Sequence, residues 1–137
     1  MVTNNRLLRH FRLTYQTYFI LACLTYIFSY VYHLFGHGQS SLAMQTAFIS
    51  PLLVAIYYFF IYRSKPLLKS VKDSYRLAFN MLGSGVATLV IAQLIQGVLE
   101  IAGTSSIYLA IFYMVGILLT LIGAVLCVLS LITARKA

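Results

Sequence analysis

Residues 77–103, LAFNMLGSGVATLVIAQLIQGVLEIAG, decide how this chain folds, because the stretch is long enough to cross a bilayer yet carries polar groups. At about 100° per residue, these groups fall on two stripes of a helix. One stripe holds Gln93, Gln96, Gly97 and Glu100, and a roughly opposite stripe holds Asn80, Ser84 and Thr88. Lipid offers no partners for amides, hydroxyls or a carboxylate, so we expect protein to cover both stripes. The stretch therefore predicts a helix inside a bundle.

The composition of the chain indicates the class of protein. Of its 137 residues, 61% are hydrophobic and 9% are charged, and its mean hydropathy is +0.91. A soluble domain of this size could not hide so much apolar surface, so we predict a membrane protein with several spans. A hydrocarbon core about 30 Å thick needs roughly 20 apolar residues per helix. Four stretches meet that length: residues 14–36, 42–62, 77–103 and 106–133.

We expect an all-α protein in which the four helices form one antiparallel bundle, a single domain over residues 1–137. Its basic residues predict an orientation. All ten Lys and Arg residues lie before the first helix, between the second and third helices, or after the fourth. The loops HGQSS and GTSS contain none. By the positive-inside rule, both termini and the basic loop 63–76 are predicted to be cytoplasmic, an N-in/C-in topology.

The charge of the basic loop indicates what the cytoplasmic end of the bundle contacts. Its basic residues are Arg63, Lys65, Lys69, Lys72 and Arg76. Because these residues flank membrane spans, the net charge of +8 points to anionic lipid headgroups at the cytoplasmic face rather than to nucleic acid. The alternatives are a solvated loop that only sets the orientation and a docking segment for a cytoplasmic partner.

Ser50 and Pro51 lie near the middle of the second predicted helix. Proline removes one backbone hydrogen bond and clashes with the preceding turn, so we expect a kink at Pro51. Two interpretations of the kink are open. It bends a helix that serves only in packing, or it supplies a hinge or an exposed carbonyl beside a substrate path.

The fourth predicted helix carries a seam of small residues spaced by three or four positions. The seam consists of Gly116, Thr120, Gly123, Cys127 and Ser130. Small side chains let helix backbones approach closely in lipid. Because the loop before this helix is very short, we expect a tight hairpin between the third and fourth helices. The seam is predicted to pack either on the stripe of Asn80, Ser84 and Thr88 or on another subunit.

The outer half of the predicted bundle contains a candidate polar site. Its members are Glu100, His33, His37, Gln93 and Gln96. Glu100 is the only acidic residue in a predicted span, and an intramembrane carboxylate usually faces protein or a water-filled cavity. Four roles are open for it. It is a protonatable site, a structural clamp with one of the histidines, a metal ligand together with them, or a side chain bonded locally near the interface.

Sequence motifs for catalysis are absent. The chain contains no HExxH, GxSxG, CxxC or paired acidic motif. Zinc protease, serine hydrolase, thiol oxidase and phosphotransferase activities therefore lack their reactive groups. Two histidines and one glutamate without a recognisable spacing are a weak metal signal. We predict that the protein is not an enzyme and that it uses no cofactor or metal.

The segments HLFGHGQSS, LIQGVLEIAGTSS and LGSG resemble those of small uncharacterised four-helix bacterial integral membrane proteins. The resemblance implies a bacterial cytoplasmic membrane and brings no assigned activity. The four-helix size is also similar to that of small multidrug-resistance transporters, whose pattern places an essential glutamate in the first helix. The first predicted helix of this chain contains no glutamate, which argues against that family.

These features favour a non-enzymatic subunit or a self-associating membrane bundle, present as a homo-oligomer or within a larger membrane complex. The alternative is a small transporter or ion-coupled carrier with a protonatable site at Glu100.

Overall fold

The computed structural model describes residues 2–36, 41–63 and 75–136, and this part of the chain forms five α-helices. They are α1 (Val2–Phe35), α2 (Leu42–Thr46), α3 (Ile49–Arg63), α4 (Tyr75–Ile101) and α5 (Tyr108–Lys136). Four helical segments are long and apolar enough to cross a membrane: Arg6–Phe35, Leu42–Arg63, Tyr75–Ile101 and Tyr108–Thr133. The prediction of an all-α protein with four candidate spans is confirmed. The N-in/C-in topology stays a prediction from the charge pattern.

Helix α1 begins at Val2, well before residue 14, where the apolar run begins. Its 34 residues give a length of about 51 Å, which exceeds the roughly 30 Å of the hydrocarbon core. The additional turns carry Arg6, Arg9 and Arg12, which are exposed and are good helix formers. Hydropathy therefore locates the residue at which the apolar run begins, whereas the helix itself begins earlier, in the polar segment that precedes the run.

The second span is interrupted at Ala47 and Phe48, between α2 and α3. Pro51 explains the position of the break, because proline has no N–H to donate to the carbonyl four residues earlier, that of Ala47. The Ser50 hydroxyl donates to this carbonyl instead, at 3.2 Å. Helical bonding resumes where the Leu52 N–H donates to the Phe48 carbonyl at 3.1 Å. The break thus lies about one turn before the proline at which a kink was expected.

A tight turn joins α4 to α5. Gly103 adopts a φ of +71°, a left-handed conformation that glycine takes without strain. Its N–H donates to the Glu100 carbonyl at 3.2 Å, and the Thr104 N–H donates to the Leu99 carbonyl at 2.9 Å. This pair of bonds is the Schellman motif, which ends a helix and satisfies its last carbonyls. The turn brings α5 back alongside α4.

Helices α4 and α5 form one close pair. A Cβ added at Gly85 would lie 2.5 Å from the backbone nitrogen of Thr120, and a Cβ added at Gly123 would lie 2.6 Å from the Cα of Leu82. Residues late in α5 contact residues early in α4, so the two helices run in opposite directions. The seam of small residues therefore packs on α4, but on the face of Leu82, Gly85 and Leu89 rather than on the predicted stripe of Asn80, Ser84 and Thr88.

Helix α1 and the second span form another close pair, which is held by aromatic side chains. The ring centroids of Tyr15 and Phe59 lie 5.5 Å apart, and those of Tyr26 and Phe48 lie 5.4 Å apart. Both pairs adopt the edge-to-face geometry that aromatic rings prefer. Tyr15 and Phe59 also line one cavity beside this contact, and Tyr26 and Phe48 line another.

An aromatic core joins the two helix pairs. Tyr58 of α3 is 1% exposed, and its ring centroid lies 5.5 Å from that of Phe79 in α4 and 5.9 Å from that of Phe11 in α1. Val86 of α4 and Cys127 of α5 belong to the same buried cluster. Lipid is as apolar as these side chains, so their close packing, rather than exclusion of water, stabilises the contact between the pairs.

Candidate functional site

The described charged side chains lie at opposite ends of the bundle. The contacts of Tyr58 with Phe11 and Phe79 place the start of α1, the end of α3 and the start of α4 at one end. Arg12, Arg63 and Arg76 are exposed there. Glu100 is exposed at the other end, one residue before α4 ends. The length of the helices therefore separates the carboxylate from these arginines.

Both carboxylate oxygens of Glu100 accept hydrogen bonds. The Ser41 hydroxyl donates to Oε2, and Nε2 of Gln96 donates to Oε1 at 2.7 Å. The Tyr113 hydroxyl in turn donates to Oε1 of Gln96. Ser41 precedes α2, Gln96 and Glu100 belong to α4, and Tyr113 belongs to α5. We call these four residues the Glu100 cluster.

Local sequence positions the members of the Glu100 cluster. Gln96 and Glu100 are four residues apart, so they are neighbours on one face of α4. Ser41 is the N-cap of α2, with an extended backbone, and its Oγ accepts the Met44 N–H at 3.4 Å. Gly97 lets α2 approach closely, because a Cβ there would lie 2.6 Å from the Cβ of Met44. Ser41 and Met44 are both buried by this contact.

The structure brings together two of the five residues of the predicted polar site. Gln96 and Glu100 are bonded to each other. Gln93 is half-buried, and its Oε1 is buried without a hydrogen-bond donor from the described part of the chain. His33 is exposed and lines a separate cavity beside Gln45. His37 lies outside the described residues.

Among the roles open for Glu100, the geometry comes nearest to hydrogen bonding near the helix end, with one local partner, Gln96, and one partner from outside α4, Ser41. Its partners, Ser41 and Gln96, are both uncharged. His33 takes no part in these bonds, so the structure does not form the clamp that pairs His33 with Glu100. Within residues 2–36, 41–63 and 75–136, no three His, Cys, Asp or Glu side chains are grouped so that they could hold a metal ion.

Sequence reasoning did not find Ser41 and Tyr113. A signal for Ser41 is present, since serine before a short apolar run is a preferred N-cap. No comparable signal marks Tyr113, because its contact with Gln96 depends on the register between α4 and α5. Periodicity defines the faces of one helix, but it does not identify the residue across a turn.

The stripe of Asn80, Ser84 and Thr88 lies away from α5. Asn80 and Ser84 are exposed, and Thr88 is half-buried, with its hydroxyl donating to the Ser84 carbonyl at 2.8 Å. The prediction that the other spans cover both stripes of α4 is therefore wrong for Asn80 and Ser84. The physical reason is that glycine permits the closest approach, so the Gly85 side of α4 faces Thr120 instead. Cover by a second protein chain stays a prediction.

The basic residues that are predicted to contact lipid headgroups are only partly within the described ranges. Arg63 and Arg76 are exposed. Lys65, Lys69 and Lys72 lie outside the described residues. Contact of this group with anionic headgroups stays a prediction.

Comparison of the chain with protein-family models, with curated proteins and with solved structures finds no match. The geometry of the Glu100 cluster therefore carries the functional argument. Each of the polar groups that link Tyr113, Gln96, Glu100 and Ser41 has a partner within the chain. Such an arrangement can hold three helices together at one end of the bundle.

Proposed function

We propose that this protein is a non-enzymatic multipass membrane protein that acts as a self-associating bundle or as a subunit of a larger membrane complex. In this proposal, the Glu100 cluster fastens α2 and α5 to α4. The observation that carries it is that uncharged donors of the same chain occupy both carboxylate oxygens of Glu100. A carrier needs a carboxylate that takes up and releases an ion, and each carboxylate oxygen of Glu100 already accepts one hydrogen bond from the chain.

Exposed polar groups on α4 support association with a second protein. Asn80 and Ser84 are exposed on a helix long enough to span a membrane, and hydrocarbon cannot satisfy their side chains. Hydrogen bonds between helices in lipid contribute up to about 1–2 kcal/mol each. A second copy or a larger membrane protein packed on this stripe would supply the missing partners.

The charge distribution supports a location in the bacterial cytoplasmic membrane with an N-in/C-in topology. Exposed arginines cluster at one end of the bundle, as the positive-inside rule expects for a cytoplasmic face. That end would meet anionic lipid headgroups. The opposite end, with the Glu100 cluster, would face outward.

The proposal is tested by reconstituting wild type, Glu100→Gln and Glu100→Ala into vesicles. We expect no proton flux with a pH-sensitive dye in any of the three samples. Native mass spectrometry after gentle extraction should show an oligomer or a stoichiometric partner for wild type. Thermal stability should fall from wild type to Gln to Ala, because Gln keeps one acceptor and Ala keeps none.

Thr104→Ala is the control, since Thr104 is exposed and lies outside the Glu100 cluster. Flux by wild type that Glu100→Gln abolishes without a change in thermal stability would instead establish the carrier. A wild-type protein that is strictly monomeric and without a partner would contradict the association.

A further inference from the structure

Three adjoining cavities lie along α1 and share residues of their walls. The first has a volume of about 640 Å³ and lies between α1 and α3, with Tyr15, Phe19 and Leu52 in its walls. The second, of about 300 Å³, shares Phe19 and Leu52 with the first. The third, of about 250 Å³, shares Tyr26 with the second and ends at His33. We call these three adjoining cavities the α1 groove.

The α1 groove changes in character from one end to the other. Mainly apolar side chains line its first two sections, among them Ile56 of α3 and Ile27 of α1. The walls of the third section include Ser29, His33 and Gln45. Hydroxyl, imidazole and amide groups can all donate hydrogen bonds. A long apolar channel that leads to a group of donors matches an amphiphile with an acceptor-rich headgroup.

The dimensions of the groove match one leaflet of a membrane. Between Tyr26 and Tyr15, helix α1 rises about 17 Å. Half of a hydrocarbon core about 30 Å thick is roughly 15 Å. The apolar sections therefore have the length of one lipid chain, and the polar section lies at the same end of the bundle as Glu100.

We propose that the α1 groove binds one phospholipid, with an acyl chain along its apolar sections and the phosphate at Ser29, His33 and Gln45. The surrounding bilayer is as apolar as the groove, so the chain itself gains little free energy on binding. Selectivity comes from the headgroup, because phosphate oxygens form strong charge-assisted hydrogen bonds with such donors. The site lies at the end opposite the exposed arginines, so it is distinct from headgroup binding at the cytoplasmic face.

The test measures phospholipid retained by the full-length protein after equilibration with vesicles of phosphatidylethanolamine and phosphatidylglycerol. Native mass spectrometry should show one bound phospholipid per chain for wild type. The double variant His33→Ala/Gln45→Ala removes donors, and Cys23→Phe fills the second section, whose wall includes Cys23. Each should lower retention about tenfold. Val128→Phe adds a ring at an exposed position of α5 outside the groove and should retain wild-type levels.

Two results would overturn the proposal. In the first, all variants retain phospholipid equally, or diacylglycerol, which lacks the phosphate, is retained as well as phospholipid. The other result is that another copy of the chain fills the groove instead of a phospholipid. That copy would be revealed in a Cys127→Ala background by Cys23–Cys23 crosslinking in membranes, together with no retained phospholipid. Unchanged helicity and thermal stability of the groove variants confirm that loss of lipid does not reflect unfolding.

Discussion

Ser41 serves two elements with one hydroxyl group. Its oxygen accepts the Met44 N–H at the start of α2, and its hydrogen is donated to Glu100 near the end of α4. The residue is buried, so water cannot readily replace either partner. A five-residue helix such as α2 is too short to be stable alone, and its position depends on contacts of this kind.

Replacement of Ser41 by alanine should therefore destabilise the fold. Loss of the N-cap costs about 1 kcal/mol, and loss of a hydrogen bond to a charged group costs about 1.5–3 kcal/mol, so we expect a total of roughly 2.5–4 kcal/mol. Unfolding in mixed micelles, followed by circular dichroism, measures the change. Ser105→Ala, at an exposed position in the turn before α5, should stay within about 0.5 kcal/mol of wild type. Equal effects of the two substitutions would contradict this role for Ser41.

At the scale of helices, apolar length predicted the four candidate spans, because a hydrocarbon core demands that length from any spanning helix. The pattern was less informative about which face of α4 meets α5. The polar side chains predicted that the face with Asn80 and Ser84 would contact α5, whereas in the structure the face with Gly85 makes this contact because glycine permits close packing. In the candidate site, periodicity paired Gln96 with Glu100, whereas Ser41 and Tyr113 reach them only through tertiary structure.

Gly85 offers a direct test of the contact between α4 and α5. Any side chain there would meet the Thr120 hydroxyl and backbone, which cannot move without shifting α5. We expect Gly85→Val to destabilise the protein by about 1–3 kcal/mol through overpacking. Ala87→Val, on an exposed face of the same helix, is the matched control. Helix propensity alone predicts that Gly85→Val is the more stable of the two variants. Valine is a better helix former than glycine, which it replaces at position 85, and a poorer one than alanine, which it replaces at position 87. Thermal unfolding of both variants distinguishes the two explanations.

At the scale of the whole molecule, two helix pairs meet through an aromatic core centred on Tyr58. The ring of Tyr58 is buried, and it contacts Phe11 within its own pair and Phe79 in the other. Large rings fill the space between α3 and α4, whereas α2 approaches α4 closely at Gly97. Association of the pairs therefore depends on a few aromatic side chains at one end of the bundle and on the contact of α2 with α4 at the other.

A chain divided within residues 64–74 should therefore reassemble from its halves. We expect the two fragments, co-expressed with different tags, to purify together from membranes. Tyr58→Ala in the first fragment should reduce recovery of the second at least tenfold, because truncating a buried aromatic residue costs about 3–5 kcal/mol. Phe60→Ala is the control, since Phe60 is 64% exposed on the same helix. The aromatic core does not join the pairs if the fragments never purify together, or if Tyr58→Ala leaves the recovery of the second fragment unchanged.

The pairing of neighbouring spans has a consequence for biosynthesis. Most of the close helix contacts connect segments that leave the ribosome one after the other, so little chain entropy is lost in forming them. Helix α1 and the second span can associate at the translocation machinery before α4 has been synthesised. The nascent chain would then enter the bilayer as two successive hairpins, and the aromatic rings would bring these hairpins together as a late step of assembly.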